Sequence, residues 1–293
     1  MDNGIINDKI NVQWFPGHMA KARRMMTESV KLVDAVCEIA DARIPISSRN
    51  PELDGLLAGR PRLLVLNRTD LADPAVTKLW TAHFKAEGVP VMETDARSGK
   101  GVSGFQSAVR ALLSDKLAAL EAKGQGGRPI RAMVVGVPNV GKSTFINKLA
   151  GRKAAIASDR PGVTRGKQWI SVGGLQLLDT PGLLWPKLDG ENVGEHLAFT
   201  GAVKDQILDV EALAAHLMKW LAERYPALLT ARYKFEPDPD AAGWELLERA
   251  ARKRGFLVSG GEVDTERMAN ILLDEFRGGV IGRISLERPG DEP

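Results

Sequence analysis

Short apolar runs flanked by turn chemistry recur along the first 180 positions, at residues 35–40, 63–66, 89–93, 131–135, 168–172 and 175–178. Runs of that length that do not alternate with polar residues predict strands buried on both faces, as in a parallel sheet. Helical stretches separate several of them, over 20–32, 74–87 and 103–123. Strand and helix in alternation predict an α/β domain. Gly-Gln-Gly-Gly-Arg-Pro at 124–129 predicts a flexible linker. After about Asn192 only helical spacing remains. Val210, Leu213, Ala214, Leu217 and Leu221 form one stripe, Trp244, Leu247 and Ala251 a second. Met268, Ile271, Leu272 and Phe276 form a third, after an N-cap at Asp264 or Thr265. The pattern thus predicts an α/β unit over 1–191 and a smaller, mainly helical unit over 192–293.

Composition narrows the class. Of 293 residues, 44% are hydrophobic and 26% charged, as in soluble globular proteins. The net charge of +3 makes no global polycation, but its distribution is uneven. Residues 1–200 carry 27 Lys/Arg against 20 Asp/Glu, and residues 201–293 carry 13 against 17. A helical unit with net negative charge can meet nucleic acid only through a local patch. The single cysteine, Cys37, excludes an internal disulfide or a cysteine-built zinc site, and its apolar neighbours make it a core residue. The first residues lack a secretory pattern, and no run of 18 apolar residues occurs, so a cytoplasmic protein is expected.

The strongest chemical signal is Gly136-Val137-Pro138-Asn139-Val140-Gly141-Lys142-Ser143-Thr144. It follows the run 131–135 and precedes a helical segment, the context a phosphate-binding P-loop requires. Glycines let backbone N–H groups turn in around phosphate oxygens, and the helix N-terminus adds positive potential. Lys142 would reach the β- and γ-phosphates, and Ser143 would bind Mg²⁺. Asp179-Thr180-Pro181-Gly182 begins 36 residues after Ser143. There Asp179 can hold Mg²⁺ through water, and the Gly182 N–H can sense the γ-phosphate as part of a switch. Thr164, in the loop between, is a further candidate Mg²⁺ ligand and catalytic residue. Base recognition falls to Asn67-Arg68-Thr69-Asp70, after the run 63–66. The Asp70 carboxylate can accept from guanine N1–H and the 2-amino group, donors that adenine does not offer in that arrangement. Asn67 would tie this loop to the P-loop. A second base loop, Thr94-Asp95-Ala96-Arg97-Ser98-Gly99-Lys100-Gly101, would offer the Ala96 N–H to the guanine carbonyl oxygen. Both base loops precede the P-loop, Asn67 by 69 residues before Gly136, so the order of motifs is permuted.

With Gln13-Trp-Phe-Pro-Gly-His18-Met-Ala-Lys21-Ala, Asp41-Ala-Arg-Ile-Pro45 and Gly282-Arg-Ile-Ser-Leu-Glu, the chain resembles the ribosome biogenesis GTPase A family. The likeness runs over nearly the whole chain. It implies a circularly permuted P-loop GTPase domain and a helical C-terminal domain that helps contact rRNA. It also implies GTP/GDP and Mg²⁺ as ligands, the large ribosomal subunit or its precursor as partner, and a monomer off the ribosome. Two positions depart from the family pattern: Arg68 stands where lysine is usual, and Asp95-Ala96 where Ser-Ala is usual. Leu183 follows the Asp179–Gly182 motif and cannot orient water, and the resemblance points to His18 for that task; an N-terminal histidine that packs or caps is the other reading. In related GTPases an asparagine at the place of Asn139 helps hold K⁺, and a loop asparagine bonding its own backbone is the alternative. Candidate RNA-facing clusters are Lys21, Arg23 and Arg24; Arg152, Lys153, Arg160, Arg165 and Lys167; and Arg249, Arg252, Lys253 and Arg254. A signalling switch that acts on a protein effector without RNA is the competing function.

Overall fold

The computed structural model describes residues 16–57, 59–151, 168–182, 184–185 and 192–290, the side chains of 16–22 and 168 excepted. The elements run α1 (Pro16–Val30), β1 (Ala35–Asp41), α2 (Leu53–Leu56), β2 (Arg62–Asn67), α3 (Pro74–Ala86), β3 (Val91–Glu93), α4 (Phe105–Leu112), α5 (Ser114–Ala122) and β4 (Ile130–Val135). There follow α6 (Lys142–Ala150), β5 (Gln168–Val172), β6 (Leu175–Asp179), α7 (Val193–Phe199), α8 (Val210–Arg224), α9 (Pro226–Tyr233), α10 (Gly243–Arg254) and α11 (Thr265–Gly278).

Six strands form one sheet in the order β3-β2-β1-β4-β6-β5. The first five in that order are parallel. The expectation of a parallel strand at 168–172 is corrected: β5 pairs antiparallel with β6, Gln168 opposite Asp179. The reason lies in the connection, since only Gly173 and Gly174 separate the two strands, at φ 52° and 82°. Two left-handed residues close a tight hairpin, whereas a parallel return needs a long crossover. Alternate residues of β1 serve opposite faces. Ala35, Cys37 and Ile39 join a core with Phe105, Val109, Phe145 and Ile146. Val36 packs with Met26, Val30, Met133 and Leu178 beneath α1, and Ala40 with Leu64, Trp80 and Phe84 beneath α3. Full burial pushes the Cys37 thiol up to about 12, which fits an inert core residue.

The helix expected over 103–123 is two. Leu113 leaves helical geometry at φ −109°, ψ 16°, and α5 buries none of its residues. Only α4 carries a stripe, Phe105 and Val109, for the sheet to hold. Beyond Asn192, α8 buries Leu213, Ala214, Leu217, Met218 and Leu221. The stripe of α10 is Leu246, Leu247, Ala250 and Ala251, so Trp244 lies outside it and is 61% exposed. Asp264 is the N-cap of α11, accepting from Arg267 N at 3.0 Å.

The buried apolar cluster on one face of the sheet continues without a break into α7, α8, α10 and α11. The chain after α11 then returns to the sheet layer. Ile284 N donates to Leu71 O at 2.9 Å and Leu286 N to Arg43 O at 2.8 Å. The Glu287 carboxylate accepts from Ile46 N at 2.7 Å and Ser47 N at 3.0 Å, and meets His196 Nδ1 at 3.1 Å. No helix among the described residues is long and apolar enough to cross a membrane.

Candidate nucleotide site

Strand order runs outward in one direction from β1 to β3 and in the other from β4 to β6, so the sheet reverses between β1 and β4. Crevices that bind ligands open beyond the carboxyl ends of parallel strands at such a point. The carboxyl ends here carry the motifs. Asp41 ends β1, Asn67 ends β2, Val135 ends β4 just before Gly136, and Asp179 ends β6. The order of motifs along the chain is therefore immaterial to the site, because the sheet assembles strands by neighbourhood rather than by sequence.

The P-loop is built for close backbone approach. A Cβ on Gly141, which sits at φ 96°, would lie 2.4 Å from Asn67 Nδ2, and one on Gly182 would lie 2.7 Å from Pro138 N. Glycine is needed at both, and the second contact shows the Asp179–Gly182 segment pressed against the P-loop. Lys142 opens α6 and donates from Nζ to Gly136 O at 3.0 Å and Val137 O at 2.8 Å. Burial pushes its ammonium down to about 8, with the Asp179 carboxylate opposing the shift. Ser143 and Thr144 follow in the first turn of α6, and the register Val134↔Asp179 sets Asp179 on the neighbouring strand.

Asn67 joins the three loops. Its Nδ2 donates to Val140 O at 2.8 Å, and its Oδ1 accepts from Thr94 Oγ1 and from Ala96 N, both at 3.1 Å. The Ala96 N–H thus meets Asn67 here. Asp95 turns its carboxylate onto its own loop, accepting from Arg97 N at 2.9 Å, Ser98 N at 3.1 Å and the Ser98 hydroxyl. Burial raises its pKa, but the bonds from Ser98 and Arg97 outweigh that and hold it below 3.8. Asp70 is pushed the other way, first by burial and then by the Asp95 charge, with Arg68 and Arg43 opposing. Arg68 adopts a left-handed φ of 63° and Asn139 one of 58°. Non-glycine residues hold such angles only where their surroundings fix them, often at functional loops. Arg68 reaches away along the helical unit to Arg277 O at 3.1 Å, and Asn139 Nδ2 donates to Gly201 O at 2.7 Å.

Sequence reasoning missed the pair beneath the base loop. Arg43, 1% exposed, donates to both Asp41 oxygens at 2.9 and 2.7 Å and lies 5.3 Å from the Phe276 ring. Burial drives the Asp41 carboxyl up, and Arg43, with Arg68 behind it, more than offsets this and keeps it ionised. Asp41 and Arg43 were legible only as part of a family signature, because their partnership needs the turn after β1. Gly201 and Arg277, which touch these loops, carried no local signal, and Arg283 was legible only within the signature Gly282-Arg-Ile-Ser-Leu-Glu. Among the RNA-facing candidates, Arg249 donates to Glu236 O, Arg252 pairs with Glu248 at 2.6 Å, and Arg254 pairs with Glu275. Thr164, Leu183, Arg152, Lys153, Arg160, Arg165 and Lys167 lie outside the described residues, as do the side chains of His18 and Lys21.

Comparison with known proteins agrees with this geometry. A family model described as "50S ribosome-binding GTPase" matches residues 131–229. "Ribosome biogenesis GTPase A" of Bacillus licheniformis is 46% identical over 281 residues, covering 96% of this chain and 99% of that protein. Its namesake in Thermotoga maritima is 32% identical over 281 residues, covering 96% and 95%. "Mitochondrial ribosome-associated GTPase 1" of Mus musculus is 34% identical over 296 residues, covering 94% and 90%. The crystal structure of GNP-bound YlqF from T. maritima superposes with a TM-score of 0.64 at 29% identity, over 92% of this chain and 99% of that one. Near full-length identity of this order, with P-loop, switch and base loops converging at one sheet edge, makes the chain a GTPase that belongs to the ribosome biogenesis GTPase A family.

Proposed function

We propose that this GTPase is an assembly factor for the large ribosomal subunit, binding the particle and its rRNA in the GTP state and leaving after hydrolysis. The observation that carries the reading is the near full-length likeness to proteins named for ribosome biogenesis, over a chain whose phosphate-side motifs match a model described as ribosome-binding. The mainly basic first 200 residues suit contact with a phosphate backbone. In this reading residues 1–191 form the GTPase domain, 192–293 add a second contact surface, and the protein works as a cytoplasmic monomer off the ribosome.

Within the site, Asp70 and the Asp95–Ala96 loop would receive guanine. The N–H groups of Pro138-flanking residues Asn139, Val140, Gly141, Lys142, Ser143 and Thr144 would hold the phosphates. Ser143, Thr164 and Asp179 would hold Mg²⁺, which supplies charge neutralisation at the β- and γ-phosphates. The donor set fits a hard cation: a hydroxyl in the first turn of α6 and, at the end of β6, a carboxylate buried to 1% exposure. Asn139 would hold K⁺ through its side-chain oxygen, since its Nδ2 already donates to Gly201 O. His18, in the first turn of α1, would orient the attacking water in place of Leu183. Replacing His18 with Ala should lower single-turnover GTP hydrolysis about 10²-fold or more while GTP binding persists. Unchanged turnover in a folded variant removes His18 from the mechanism.

The partner is tested by sedimentation. Loaded with a non-hydrolysable GTP analogue, the protein should travel with large subunits or their precursors at low salt, and should release with GDP. Rising salt should weaken the association steeply, as counterion release requires. Analogue-bound protein that stays in the supernatant would leave the effector switch as the function.

A further inference from the structure

We propose that Arg277 is a positioning residue for nucleotide binding, through which the helical unit holds the base loop and the P-loop in register. The inference rests on the nucleotide reading of those two loops. On the base side, Arg68 Nη2 donates to Arg277 O at 3.1 Å. The chain after Arg277 continues as a splint along the same loop. Gly279, at φ 73°, leaves room for Leu71, whose Cδ2 would lie 2.6 Å from a Cβ there. Arg283 donates to Thr69 O at 2.6 Å and Ala72 O at 2.9 Å, and Ile284 N to Leu71 O at 2.9 Å. Every backbone carbonyl from Thr69 to Ala72 bar that of Asp70 therefore accepts from this splint, which brackets the residue that would read guanine.

On the phosphate side, Asn139 Nδ2 donates to Gly201 O at 2.7 Å. Gly201 closes the turn after α7, and the Arg277 side chain holds that turn. Its Nε donates to Phe199 O at 3.1 Å and its Nη2 to Ala198 O at 2.8 Å, while Asp205 takes two further bonds at 2.7 Å. A Cβ on Gly201 would lie 3.3 Å from Arg277 Nε, so the turn and the guanidinium are in close contact. Arg277 thus supports Asn139 through its side chain and Arg68 through its carbonyl. Both are held at left-handed φ, which among the described non-glycine residues otherwise occurs only at Lys234, the C-cap of α9. Such conformations need over-determination from outside the loop, and the helical unit supplies it. Coupling of this kind is reciprocal: a ligand that shifts the turn 198–205 changes nucleotide affinity, and nucleotide changes the affinity for that ligand by the same factor.

The test is a titration of the full chain with a fluorescent GDP analogue for Arg277→Ala, Asn139→Ala and the double variant. Arg277→Ala should weaken GDP roughly tenfold, since it removes charged hydrogen bonds that shape the site. The double variant should bind nearly as well as the weaker single variant, because both changes break one linkage. Losses that multiply in the double variant, or wild-type affinity in Arg277→Ala, overturn the proposal. Asp205→Ala covers the case in which Arg277→Ala fails to fold: Asp205 is 42% exposed, and its loss frees the guanidinium from its clamp. It should weaken GDP several-fold in a variant that stays folded by circular dichroism at the assay temperature, and unchanged GDP affinity overturns the proposal. Lys142→Ala in the same assay separates the two readings, because normal GDP binding there would sink the nucleotide site itself.

Discussion

Replacing Asp70 with Asn should move the preference of the protein from GTP to xanthosine triphosphate, by a factor of roughly 10⁴ in the ratio of affinities. Guanine presents two donors, N1–H and the 2-amino group, to a carboxylate that accepts both. Asparagine turns one acceptor into a donor, and xanthine, with a carbonyl in place of the amine, matches it. The large factor comes from leaving half-buried polar groups unpaired when the wrong base is bound. Competition titrations with GTP, ATP and xanthosine triphosphate measure it, and equal binding of ATP and GTP by the unmodified protein would sink the assignment. The same residue predicts a pH dependence. Burial and Asp95 raise the Asp70 pKa above the ordinary 3.8. Recognition uses the ionised form, so acidification should weaken GTP, and should begin to do so at a higher pH than an ordinary aspartate would give. Asp70→Asn should abolish that acid-side loss.

Lys142→Ala should weaken GDP and GTP on the order of 10³-fold, as expected when one partner of a buried, hydrogen-bonded charge pair is truncated. The side chain is 7% exposed, and its ammonium already rests on Gly136 O and Val137 O, so it would meet phosphate with little reorganisation. Fluorescent GDP binding measures the loss, and a fully active variant would mean that the P-loop assignment is wrong. A pH signature accompanies it. Burial lowers the Lys142 pKa to about 8, and a bound phosphate would raise it again. Above about pH 8 binding should therefore take up a proton, and nucleotide affinity should fall as pH rises. Calorimetry at pH 9 in buffers of different ionisation enthalpy reads the uptake directly; no buffer dependence there would contradict the lowered pKa.

Much of this was legible in the chain. Every strand was, because each carries a short apolar run bounded by turn residues, which is visible without its partners. Only the inner strands are covered on both faces, while β3 is half-buried and β5 alternates buried Ile170 and Val172 with exposed Trp169 and Ser171. The P-loop, the Asp179–Gly182 segment and both base loops were legible too, because phosphate and guanine recognition need particular residues at fixed local spacing: Gly141 before Lys142 and Ser143, Asn67 three before Asp70. Their permuted order was plain for the same reason. Other features belonged to the tertiary structure alone. The direction of β5 turned on a two-glycine hairpin. The register of α10 turned on which neighbours cover it, so Trp244 falls outside the buried stripe. Arg43 against Asp41 and Phe276, and Arg277 and Arg283 along the base loop, join residues up to 233 positions apart in sequence. The contacts to backbone carbonyls leave no periodicity or local motif, because a carbonyl accepts a hydrogen bond whatever its side chain. Local chemistry thus marked the candidate loops along the chain, and only the packing of the helical unit against the sheet decided how those loops are held.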